Sequence, residues 1–134
     1  MTPLMQLIRS RVFSRLGMEF FFGRRDLSTS RPYIVATDIM IGSPEFNTEK
    51  VHIEQDLIQL FIYADTDEDA SSICKELEKE FIDGGEVPFD GGKVIQFSTS
   101  GFNISEVPRR HPTADILWLG LFKLKMLVQR TVAY

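Results

Sequence analysis

The run VHIEQDLIQLFIYADTDEDASSICKELEKEFIDGG (51–85) decides the fold, because its hydrophobic period changes once and cleanly. Val51, Ile53, Leu57, Phe61 and Tyr63 alternate with His52, Glu54 and Asp56, which predicts a β-strand over Val51–Tyr63. Near Ile58 to Ile62 both faces turn apolar, so one end of the strand is expected to be solvated on one face and the other end buried on both. Beyond Thr66 the spacing becomes helical: Ala70, Ile73, Cys74, Leu77, Phe81 and Ile82 form the stripe to be buried, with Lys75, Glu76, Glu78, Lys79 and Glu80 outside. Thr66 with Asp69 three residues on resembles a capping box, and the acids Asp67, Glu68 and Asp69 suit the positive end of the helix dipole. Gly84 and Gly85 supply the stop.

Upstream, Leu4, Leu7, Ile8, Val12 and Leu16 recur at three- and four-residue steps, predicting an amphipathic helix from Pro3 to Leu16. Thr2 is a natural N-cap before proline at the first helical position, and Gly17 fits the C-terminal stop. Phe20, Phe21 and Phe22 follow, and three consecutive aromatics cannot all face one way in a strand. Tyr33 through Ile41 reads as a strand. Gly42, Ser43, Pro44 and Asn47 mark a connection long enough to project from the sheet.

Downstream, Glu86 to Gly92 reads as a loop, and Lys93 to Val107 as a strand with a bend at Gly101. Pro108 to Pro112 is a turn. The last strand, Asp115 to Thr131, puts Ile116, Trp118, Phe122, Leu124, Met126 and Val128 on one face and Lys123, Lys125 and Gln129 on the other. The expectation is a single α+β domain over residues 1–134: a mainly antiparallel four-stranded sheet carrying two helices, in the order α-β-β-α-β-β.

Charge is segregated within a net −4. Residues 1–31 hold six arginines against Glu19 and Asp26, a balance of +4, and the remainder holds nine basic against seventeen acidic groups, or −8. A basic arm on an acidic body suits contact between copies, with one arm on the next body. The acidic sum argues against non-specific nucleic-acid binding, which needs a basic footprint. No run approaches the roughly 20 apolar residues of a membrane-spanning helix. Arg9, Arg11 and Arg15 interrupt any secretory apolar core, although residues 1–32 share the composition of a transit peptide.

No chemistry-bearing constellation stands out, so no catalytic residue, cofactor or metal ligand is expected. The lone Cys74 cannot form an intrachain disulfide and reads as a small buried apolar residue. His52 and His111 read as surface histidines. The run Asp65 to Asp69 fails as a calcium loop: Ala70 stands where the loop's glycine belongs. The glycine pair Gly91–Gly92 precedes a strand rather than a phosphate-binding helix.

Four stretches in this order carry a resemblance: RPYIVATD (31–38), QDLIQLFIYADT (55–66), EDASSICKELEKEF (68–81) and LWLGLFKLKMLVQ (117–129). Together they resemble the tail-completion and tail-terminator proteins of long-tailed bacteriophages and related gene-transfer particles. The likeness covers nearly the whole chain and is one of layout; residues 18–25 and 86–92 depart from it. It implies a non-enzymatic virion protein, assembled in the host cytoplasm, that forms a homo-oligomeric ring, a hexamer by that likeness. The ring ends the tail tube and meets the head-connector or stopper protein, and DNA passes its acidic lumen without sequence readout. A head-completion or connector-adaptor role uses the same features. The other classes are a small ferredoxin-like enzyme or ligand-binding domain and a basic-arm nucleic-acid binder. The expected contacts are Phe20, Phe21 and Phe22 with Arg24 and Arg25, the connection Gly42, Ser43, Pro44, Glu45, Phe46 and Asn47, and the turn with Arg109, Arg110 and His111.

Overall fold

The computed structural model describes residues 2–18, 20–22, 32–37, 39–47, 51–82, 84–107 and 116–131. The elements are α1 (Pro3–Leu16), β1 (Phe20–Phe22), β2 (Tyr33–Ala36), β3 (Met40–Asn47), β4 (Val51–Ala64), α2 (Asp67–Ile82), β5 (Val87–Phe89), β6 (Gly92–Ser98), β7 (Phe102–Glu106) and β8 (Trp118–Thr131). The α+β class and the two helices stand. The four-stranded sheet and the order α-β-β-α-β-β do not: the described residues form eight strands in one sheet, and four strands precede α2. Six strands run in the order β1-β2-β4-β8-β6-β5, with β3 beside β4 and β7 beside β8. Every pairing is antiparallel except β1 with β2.

Both helices begin and end as their sequences dictate. The Thr2 hydroxyl accepts the Met5 N–H at 3.2 Å, and Gly17 takes φ +67° while its N–H closes on the Phe13 carbonyl. At α2 the Thr66 hydroxyl accepts the Asp69 N–H at 3.1 Å. The buried stripe is Ala70, Cys74, Leu77 and Phe81, whereas Ile82, expected inside, is 41% exposed at the helix end.

The sheet is organised on the 14-residue ribbon of β4 and β8, paired in register from Val51↔Thr131 to Ala64↔Trp118. At about 3.3 Å per residue that ribbon is roughly 46 Å long, more than one flanking strand covers. Each flank is therefore served by two shorter strands, and each break is made by a threonine. On the β4 side, the Thr37 hydroxyl accepts the Gln59 N–H at 3.1 Å in place of a backbone carbonyl, and the expected strand Tyr33–Ile41 splits into β2 and β3. On the β8 side, the Thr99 hydroxyl donates to the Lys123 carbonyl at 2.7 Å and accepts the Gly101 N–H at 3.2 Å. Gly101 turns there at φ +102°, which splits the expected strand Lys93–Val107 into β6 and β7. Gln59 and Lys123 face each other in the ladder, so both flanks break at one rung.

The other extra strands come from segments expected to be irregular. Phe20–Phe22 pairs with Ile34–Ala36 as β1. Gly42–Asn47 is not a projecting loop but most of β3, whose register shifts on either side of Pro44, the irregularity that proline imposes on an edge strand. Glu86–Gly92 is not a loop throughout, because Val87–Phe89 pairs with Gly92–Val94 in a hairpin.

The core lies on one face of the ribbon. Ile58, Leu60, Ile62 and Ala64 of β4 and Phe122, Leu124, Met126 and Val128 of β8 are buried there with Leu4, Met5, Ile8 and Val12 of α1 and the α2 stripe. Replacing Thr37 with valine should lower stability by about 1–2 kcal/mol, since the shape survives but the Gln59 N–H loses its acceptor. Urea unfolding checks this; an unchanged midpoint contradicts the role given to the hydroxyl.

Candidate interaction surfaces and a buried polar cluster

The even positions of β4 continue the core row downward, from Ile58 to Asp56 and Glu54. Those two carboxylates, expected on a solvated face, are buried: Asp56 is 0% exposed and Glu54 3%. What makes this tolerable is Arg130, one rung beyond Val128 on the same face of β8. Its Nε donates to Glu54 Oε1, and its Nη2 donates to Asp56 Oδ2 at 3.2 Å. The guanidinium carbon lies 5.6 Å from the ring centroid of Phe89, brought across by the β5 hairpin. Burial works against the charge on Arg130, but the hydrogen bond and attraction of Glu54, then those of Asp56, outweigh it and raise the guanidinium's pKa above its ordinary value. Two carboxylates held by a forked cation on facing strands form a register clamp, not an acid–base pair.

The arm-to-body expectation is altered on α1. Arg15 Nε meets Glu76 at 2.9 Å, Arg15 Nη1 meets Glu80 at 3.7 Å, and Arg11 meets Glu80 at 3.5 Å, all within one chain. These half-exposed pairs are each worth little, but they fix α1 on α2 and use those charges in cis. Arg24, Arg25, Arg109, Arg110 and His111 lie outside the described residues. Phe20, Phe21 and Phe22 lie in β1, and Gly42, Ser43, Pro44, Glu45, Phe46 and Asn47 in β3, at opposite ends of the β4 flank. The described residues among the expected contacts therefore lie in two separate places on the sheet. Sequence reading missed the Glu54–Asp56–Arg130 cluster. The available signal was that Arg130 falls in phase with Phe122, Leu124, Met126 and Val128.

Cys74 is fully buried beneath Gly120, and burial pushes its thiol up to about 12. At neutral pH it supplies no thiolate. The neutral thiol's contribution to stability is complete below the ordinary 9.0 and is lost as pH rises towards about 12. A thiol-specific reagent at neutral pH should label the native protein only at its global unfolding rate; fast stoichiometric labelling contradicts the burial. Two open depressions are lined by Asp67, Glu68, Ser72 and Lys75 on α2, and by Ser100, Asn103, Leu121 and Lys123 beside β7. Neither set joins a nucleophile to a base. Among the described residues, no helix is long and apolar enough to cross a membrane, and no group of three or more His, Cys, Asp or Glu side chains could hold a metal ion.

No family model matches the chain, and no curated protein matches it. Among solved structures it is similar to a chain in the virion of a native gene transfer agent particle, with a TM-score of 0.58 over 90% of this chain and 91% of that one. Sequence identity is 10%, so the likeness is one of fold. The two chains share their architecture almost from end to end.

Proposed function

We propose that this chain is a structural virion protein that forms a ring at the head-proximal end of a phage-type tail, ending the tail tube and joining it to the head connector. The observation that carries the proposal is the end-to-end fold likeness to a chain of a gene transfer agent virion. It is supported by the layout of the four stretches quoted from residues 31–38, 55–66, 68–81 and 117–129. The charged and thiol groups buried in the described core also have structural employment: Arg130 clamps Glu54 and Asp56, and Cys74 is sealed under β8. A net charge of −4 suits a lumen that lets DNA pass without holding its phosphates.

The test is disruption of the gene in its particle-producing host, followed by electron microscopy of lysates. The proposal expects filled heads and separate tails of irregular length, with joined particles restored by the gene in trans. Normal joined particles lacking this protein overturn it. Complete tails of uniform length beside unfinished heads assign the protein to the head connector instead.

A further inference from the structure

Among the described residues, helices lie on only one face of the ribbon. The other face shows Leu57, Phe61 and Tyr63 of β4 beside Leu119, Leu121 and Leu127 of β8, all half-buried, and no described element packs upon them. An apolar sheet face of that kind on a soluble subunit is an interaction surface. Its charge is one-sided. At the positions of β4 and β8 that face this way, the charged side chains among the described residues are Lys123 and Lys125, with Gln55, Gln59 and Gln129 around them and no carboxylate. The helix layer on the opposite side has the complementary character. Asp67, Glu68 and Asp69 are exposed in the first turn of α2, and Phe13 of α1 is 53% exposed.

We infer that the helix-free sheet face is where one copy of this chain docks on the next, receiving the acid-bearing first turn of the neighbour's α2 in a head-to-tail contact. This rests on the ring reading and names the surfaces that close the ring. A two-fold contact of the sheet face with itself would set Lys123 and Lys125 against their own copies, and like charges facing each other across an interface are penalised. A heterologous contact pairs lysine with carboxylate, and repetition of such a contact generates a ring where its rotation closes. A bare sheet with aromatics and lysines could also suit single-stranded nucleic acid. Here, however, Tyr63 is already stacked on the buried Tyr33, with ring centroids 5.0 Å apart, and the chain as a whole is acidic.

The test is a charge swap read by native mass spectrometry, with circular dichroism confirming each fold. Lys123→Glu/Lys125→Glu makes both surfaces acidic, and Asp67→Lys/Glu68→Lys makes both basic. Each variant alone should need at least about a hundredfold more protein than wild type to assemble. Mixed in equal amounts, they should form closed oligomers with even, alternating composition, which no merely structural effect would produce. If the glutamate variant misfolds, Lys123→Gln/Lys125→Gln replaces it and should weaken assembly and flatten its salt dependence. A wild-type ring that persists unchanged in the lysine variants overturns the inference and leaves the ring reading standing. So does a mixture that fails to assemble while wild type does. A wild type that stays monomeric overturns both. Binding of a labelled oligothymidylate that disappears with Lys123→Glu/Lys125→Glu overturns the inference in favour of nucleic acid.

Discussion

Replacing Arg130 with alanine should lower the unfolding free energy by about 3 kcal/mol at neutral pH, a larger loss than any exposed ion pair could cause. Breaking a buried pair by removing one partner leaves the other charge in a low-dielectric site, and the usual penalty is about 3–5 kcal/mol. Two features set the value here. Both carboxylates are more than nine-tenths buried, which raises it, and the Arg130 side chain is 34% exposed, so water can enter behind it and hold the loss near the lower limit. Lysine should recover only part of the loss, because one ammonium cannot reproduce a fork reaching Glu54 through Nε and Asp56 through Nη2. Replacing all three together with Glu54→Met, Asp56→Leu and Arg130→Met should be close to neutral, since the apolar row from Ile58 and Met126 would then continue unbroken. Urea unfolding of the four proteins decides the matter. A loss below about 1 kcal/mol in Arg130→Ala shows that the cluster behaves like a surface pair.

The second large effect is at Gly120, where α2 packs tightly on β8. A Cβ built there lies 2.9 Å from Cys74 Sγ, 3.2 Å from Ile104 Cδ1 and 3.6 Å from the Ala70 carbonyl oxygen. Gly120→Val should destabilise by about 3 kcal/mol, because the helix must lift from β8 or the ribbon must bend. Gly120→Ala should cost less, and Cys74→Ala should offset part of it by removing the atom the new methyl meets. The double-mutant cycle is therefore expected to show favourable coupling of about 1 kcal/mol. Additive behaviour would place the conflict elsewhere than at the Gly120–Cys74 contact.

These two sites mark what the sequence could and could not disclose. The helices were legible because their signals are local: Thr2, Pro3 and Gly17 bracket one, and Thr66 with its first-turn acids opens the other. Strand identity was legible for Val51–Ala64 and Trp118–Thr131, whose alternation is long. Strand number was not, because the breaks at Thr37 and Thr99 are made by hydroxyls bonding to Gln59 and Lys123, residues far away in the sequence. The buried face of β4 was also misjudged. Both faces carry apolar residues, and Glu54 and Asp56 argued for solvent on the face that is in fact buried; only the distant Arg130 makes their burial tolerable. On the candidate surfaces, the basic-arm reading missed that Arg11 and Arg15 are engaged within the chain, and the loop reading missed that Gly42–Asn47 is strand.

The helix-free face explains the remaining sequence anomaly. The stretch from Ile58 to Ile62 is apolar on both faces, yet among the described residues helices cover only one of them. In the proposed ring, a neighbouring copy would supply the second cover.

Native mass spectrometry of the purified wild-type chain, across protein concentration and salt, tests the central claim most directly. The account predicts one discrete closed oligomer that gains population with concentration and loses it as salt screens Lys123 and Lys125 from the neighbouring acids. A chain that remains monomeric throughout, or that grows into open-ended chains without a preferred size, would contradict it.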